Sequence, residues 1–298
     1  MHYIPKIVFI ANPKKDAQLF WGFLTHTYYL DKRRHILATF PELGTRAHKK
    51  DFRNIVKKFV LDYYKKHKEE IKKIVKSNGG LIRRDGAKSF RLLSRLMDYQ
   101  WKRPITYHAY TTILPFSPFG NQLFYYSIIR KLEHPDWKVA SVLYVGIHEI
   151  SHMIFFKLLK EIERKHKITL HKDTQYFLKE ALTTALLNRR ESMLALKKAK
   201  KEPGNPEIRE LYVTDEDGTP QKLIDLIRKR YARCRRKKML FQSFLEYLVL
   251  LTRAAEKSFN VKRKMRDTYG KKILKYERLL NQYKKPIKLR QVPTICTK

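Results

Sequence analysis

Val139 to Phe156 reads VASVLYVGIHEISHMIFF. The run is too long for one strand, and apart from His148, Glu149 and His152 it holds no acidic or basic side chain. The text continues as KLLKEIERKHK, so a helix is expected to start after Pro135-Asp136 and finish in a basic turn, as the helix dipole favours. These three residues form the pattern His148-Glu149-Ile150-Ser151-His152. On a helix the two imidazoles share one face, about 6 Å apart along the axis. Glu149 is rotated about 100° from His148. Burying these groups without partners would cost several kcal/mol, whereas one bound cation would give all three a role. Two imidazoles at this spacing can hold zinc, with the flanking glutamate placed to take a proton from a water whose pKa the metal lowers to about 7.

The surroundings of this helix set the fold class. Residues 104–156 carry as many acids as bases and are largely apolar, which reads as a core. Within them Ile105–Leu114 (ITYHAYTTIL) is expected to be a strand, Pro115 to Asn121 a break, and Leu123–Ile129 a further short apolar run. Upstream, apolar spacing predicts a helix over 52–76, stopped by Asn78-Gly79-Gly80, and another over 86–101. Downstream, helices are expected over 174–200, 221–237, 239–259 and 261–283, with a polar loop at 202–220 and a loose tail marked by Pro286 and Pro293. The expected class is mainly α with a small β element (α+β): the long helix packed on a short sheet, with additional basic helices. The regions are 1–103 (basic, helical), 104–201 (core) and 202–298 (basic, helical), or one continuous domain.

The chain has 298 residues and a net charge of +38. That surplus excludes an ordinary neutral enzyme surface and raises attraction to nucleic acid or anionic lipid. The densest basic run is Arg228-Lys229-Arg230, Arg233 and Arg235 to Lys238, with a second at Lys262-Arg263-Lys264 and Arg266. Two cysteines, Cys234 and Cys296, exclude a disulfide framework and an all-cysteine zinc site. The N-terminal stretch lacks a secretory pattern, so a cytoplasmic location is expected. No membrane span is expected, because residues 139–156 have no companion apolar spans.

Val145 to Ile154 resembles the extended signature of the zincin metallopeptidases, in which the flanking positions are uncharged and the last is hydrophobic. The resemblance implies one zinc ion per chain, held by His148 and His152, with Glu149 as the catalytic base. It also implies a substrate-binding edge strand upstream, for which Ile105–Leu114 is the candidate. Zinc needs a third protein ligand. Glu161 and Glu163 lie on the same helix as His152, and nine residues span about 13 Å, so neither reaches back. Glu180 is the leading candidate: it is the only acid between Asp173 and Glu191, in an apolar helix, and it is followed by Ala181 as in the glutamate zincins (gluzincins). His171 is the rival, giving a three-histidine site like that of SprT-like zincins; His166 is a weaker one. A donor to the developing oxyanion is also required, with Tyr107, His108, Tyr110 and Tyr231 as candidates among 18 tyrosines.

The expected function is a zinc metallopeptidase acting on a peptide or protein substrate. The alternatives are a nucleic-acid-associated SprT-like zincin using His171, and a non-enzymatic basic helical nucleic-acid-binding protein.

Overall fold

The computed structural model describes residues 3–26, 30–134, 140–198, 201, 204–214, 218–259 and 286–289. The helix expected over 261–283, the basic run at 262–266 and the Pro135-Asp136 helix start lie outside the described residues. In order, the elements begin β1 (Lys6–Ile10), α1 (Pro13–Thr25), α2 (Leu30–Thr39), α3 (Pro41–Gly44), α4 (Phe52–Lys66) and α5 (Lys68–Met97). They continue with β2 (Thr106–Thr112), β3 (Phe119–Gly120), β4 (Leu123–Ser127), α6 (Ile129–Glu133), α7 (Val142–His166), α8 (Lys172–Leu187) and α9 (Arg190–Ala195). The last are α10 (Pro206–Arg209), β5 (Tyr212–Thr214), β6 (Pro220–Lys222), α11 (Leu223–Arg236), α12 (Phe241–Ala254) and β7 (Ile287–Lys288). The chain is thus mainly α with a small β element. It divides into two compact units, residues 1–90 with 101–150 and residues 91–100 with 151–298. Helices α5 and α7 each run through both.

The first unit is built on a four-stranded sheet of order β1-β2-β4-β3, in which β1, β2 and β4 are parallel and β3 is antiparallel to β4. Ile105–Leu114 therefore does not supply the edge strand. Lys6 to Ile10 pair with one side of β2 and Leu123 to Ser127 with the other, which places β2 in the interior. The edge next to β4 is the two-residue β3, inside the stretch expected to be only a break. Helix α1 has Pro13 at its first position, and the Asn12 side chain accepts from the Lys15 backbone N–H at 3.0 Å. Phe20, Phe40, Phe59 and Tyr63 pack ring against ring beneath α1 and α4.

The helix expected over 52–76 is interrupted at His67, and Asn78-Gly79-Gly80 does not stop its successor. Helix α5 continues through both glycines to Met97, absorbing the helix expected at 86–101. Two interior glycines cost about 1 kcal/mol each against alanine. Ile71, Ile82, Phe90, Leu93 and Leu96 along the same helix are all buried, and each contributes about 1.5–3 kcal/mol, so packing prevails.

Helix α7 rests on the sheet at Gly146. A Cβ there would meet Phe124 Cζ of β4 at 2.8 Å and Ile7 Cδ1 of β1 at 3.5 Å, so the helix backbone approaches the strands closely two residues before His148. It is long and apolar enough to cross a membrane by length and composition, but 72% of its most apolar window is buried inside the protein.

In the second unit α8 is buried from Phe177 through Leu187, on every face, among α10, α11 and α12. Gly204, at φ +76°, backs it: a Cβ there would lie 3.2 Å from Thr184 Oγ1. The helix expected over 174–200 ends at Asn188, and α9 is a separate short turn whose Ser192 hydroxyl donates to Leu186 O at 2.8 Å. The loop expected at 202–220 contains α10 and β5. Strand β5 pairs with β6 and with β7 in a three-stranded sheet.

Candidate metal centre

His148 and His152 occupy successive turns of α7, one continuous helix, and Glu180 sits mid-way along α8. One ligand atom from each of the three lies within 4.8 Å of the other two, an arrangement that can hold a metal ion. His152 is 1% exposed and Glu180 9%, while His148 is half-buried. His152 Nε2 stands 3.4 Å from Glu180 Oε1. Two ligands at about 2.05 Å from a tetrahedral ion are about 3.4 Å apart, so this pair already has the right span. Two imidazoles and one carboxylate are also the donor set of open, three-ligand zinc sites. Glu149, 8% exposed, follows His148 directly on α7.

The other nitrogen of His152 is held as well. Nδ1 is 3.2 Å from Thr183 Oγ1, which is 2.7 Å from Ser151 Oγ, all three residues being buried. With the Nδ1 proton donated to Thr183 and the Thr183 proton to Ser151, Nε2 carries the lone pair that a cation needs. Lys179, itself buried, puts its ammonium on Glu180 Oε1 and lies 5.2 Å over the Tyr176 ring. A carboxylate has about four lone-pair sites on two oxygens, so an ammonium and a cation can share it.

The rival ligands are engaged elsewhere. His171 is the N-cap of α8, exposed, with Nδ1 accepting from the Asp173 backbone N–H at 3.3 Å. It stands nine residues from Glu180 on the same helix, about 13 Å along the axis. His166 Nε2 contacts Glu246 Oε1 at 2.5 Å, next to Lys165. The expected oxyanion donors have the following contacts. Tyr231 is buried and donates to Leu96 O at 2.8 Å, burial pushing its hydroxyl up to about 12. The Tyr107 hydroxyl accepts from Trp101 Nε1 at 3.1 Å, and that of Tyr110 from Lys15 Nζ at 2.8 Å, with His108 stacked on the Tyr110 ring.

Sequence reasoning missed Thr183, Ser151 and Lys179. The signal for Thr183 was its place about one turn after Glu180, a hydroxyl in the mainly apolar second half of α8. Comparisons with family models, with curated proteins and with solved structures return no match for this chain, so the functional reading rests on the site itself.

Proposed function

We propose that this chain is a zinc-dependent metallopeptidase, with one zinc held by His148, His152 and Glu180 and with Glu149 as its catalytic base. The observation that carries this reading is the convergence of Glu180, from a different helix, on the two histidines of the HExxH pattern. The resemblance of Val145–Ile154 to the zincin signature supports it. Bound there, zinc would supply Lewis acidity, polarising a scissile carbonyl and acidifying water. The rest falls to the protein. The Glu149 carboxylate accepts the proton of the attacking water and delivers it to the leaving amine nitrogen. Thr183 holds the His152 ring with Nε2 toward Glu180. Lys179 fixes the Glu180 carboxylate.

The test is Glu149→Gln, which keeps size and hydrogen-bonding capacity but not the base. Zinc content per chain stays as in the parent, while hydrolysis of a dye-quenched unfolded protein falls by about 100-fold or more. Undiminished hydrolysis with zinc still bound overturns the mechanism.

A further inference from the structure

Between α1 and α4 lies a groove of about 690 Å³ lined by Lys14, Ala17, Gln18, Trp21, Arg53, Asn54 and Lys57. It contains none of the metal-centre residues. The α1 contributors recur at helical spacing, 14, 17, 18 and 21, so one face of that helix forms a wall, and Arg53, Asn54 and Lys57 form the other. Buried Ala17 keeps the floor low. The three cations are exposed, no acid lines the groove, and among the described residues no carboxylate pairs with any of them. Lys14 also stands in the first turn of α1, where the helix end adds positive potential.

The basic run on α11 is differently placed. Arg228 pairs with Asp225 at 2.8 Å and Arg235 with Asp98 at 2.5 Å, while Arg230 lies 5.8 Å over the Tyr247 ring. Three of that run's five arginines are therefore engaged within the protein. Charge density along the sequence points to α11, and charge left uncompensated in a concave surface points to the groove.

The groove also offers a flat apolar surface. Trp21 is half-buried, held at its edge by Phe52 at 6.1 Å, and the Arg53 guanidinium lies 6.0 Å over the indole. The exposed Arg53 side chain can swing off the indole toward a phosphate, which frees that face of Trp21 for a base. Gln18 and Asn54 each present an amide donor and acceptor for a base edge. A duplex keeps its bases stacked inside and cannot offer one to Trp21, whereas a single strand can.

We propose that the α1–α4 groove binds single-stranded nucleic acid, with Lys14, Arg53 and Lys57 on phosphodiesters and one base against Trp21. The site is independent of the metal centre and of any hydrolytic activity.

Fluorescence anisotropy of the full chain with a labelled oligothymidylate of about 12 nucleotides tests it. Lys14→Ala/Arg53→Ala/Lys57→Ala weakens binding by tenfold or more and lowers the slope of log affinity against log salt by about 2, at 0.7 per phosphate contact. Trp21→Ala weakens binding by about tenfold and leaves that slope unchanged. The charge-matched control Arg233→Ala/Arg236→Ala/Lys238→Ala, at exposed positions on α11 and just beyond its end, changes the affinity less than twofold. Far-ultraviolet circular dichroism verifies that every variant is folded; the six cation positions are all exposed, so their loss leaves the core intact. Parental affinity in the groove variant, or loss chiefly in the α11 control, overturns the proposal. So does equal competition by polyglutamate, which would make the groove a site for any polyanion. Binding of thymidine monophosphate as tight as that of the oligonucleotide would assign the groove to a nucleotide and overturn the strand reading.

Discussion

The hydroxyl of Thr183 stands 3.2 Å from Nδ1 of His152. The contact leaves Nε2 of the same ring facing Glu180, so a residue outside the candidate metal triad governs how His152 presents its lone pair. Thr183→Val keeps the shape of the side chain and removes the hydroxyl. Zinc affinity, measured by competition with a chromogenic chelator, is expected to fall by about 10- to 100-fold, with the helix content unchanged. An unchanged affinity would mean the ring needs no such support.

The two possible third ligands make opposite forecasts. Glu180→Ala should purify with little zinc, whereas His171→Ala, altering only an exposed N-cap, should retain one zinc per chain. Mass spectrometry of metal content decides, and loss in His171→Ala alone would move the site to the three-histidine arrangement. Because the imidazoles must be neutral to bind, zinc occupancy should fall as the solution is acidified.

Gly146→Ala sets two effects against each other. Alanine in a helix interior is about 1 kcal/mol better than glycine. Its methyl would lie 2.8 Å from Phe124 Cζ, and overpacking of that kind costs about 1–3 kcal/mol. A net loss of stability is expected, read as a lower melting temperature. Adding Phe124→Leu, which withdraws the clashing ring atom, should recover part of it. A stabilised Gly146→Ala would show that the contact between helix and sheet is looser than described.

Asp16 is buried completely, receiving the Thr112 hydroxyl at 2.5 Å, the Ile113 N–H at 2.9 Å and the Tyr64 hydroxyl at 3.0 Å. Burial pushes its carboxyl up from 3.8 to about 7, against the lowering effect of those hydrogen bonds. Between these two values the folded chain holds a proton that the unfolded chain has lost, so this group's contribution to stability declines as pH rises through that window. Urea midpoints at about pH 4.5 and pH 8 should therefore fall more for the parent than for Asp16→Asn. Equal slopes would show that Asp16 ionises alike in both states.

The long helix and its pair of histidines were legible because a long apolar run whose only acidic or basic residues are His148, Glu149 and His152 has few other solutions. Glu180 was legible for the same reason, being a lone acid in an apolar segment. What local pattern did not reveal was context. Gly79-Gly80 reads as a stop, yet the buried residues on either side hold α5 together. His67 reads as an ordinary helical residue, yet α4 ends there. Ile105–Leu114 reads correctly as a strand, but its place inside the sheet depends on β1, nearly a hundred residues earlier, and on β4. The hydroxyls of Ser151 and Thr183 meet only because α8 returns against α7, which no spacing rule along either helix expresses.

The register of the first two strands has a consequence for how the chain is made. Lys6 pairs with Thr106 and Ile10 with Tyr110, so β1 waits for a partner until the whole helical stretch between them has been synthesised. At about 5–20 residues per second that delay is about 5–20 s, far longer than helices need to form. During it the nascent chain carries an apolar strand, KIVFI, with neither edge paired within the sheet. Helices α1 to α5 therefore emerge first, and the parallel sheet beneath α7 closes late, which makes this N-terminal strand the segment most dependent on protection from neighbouring chains while translation proceeds.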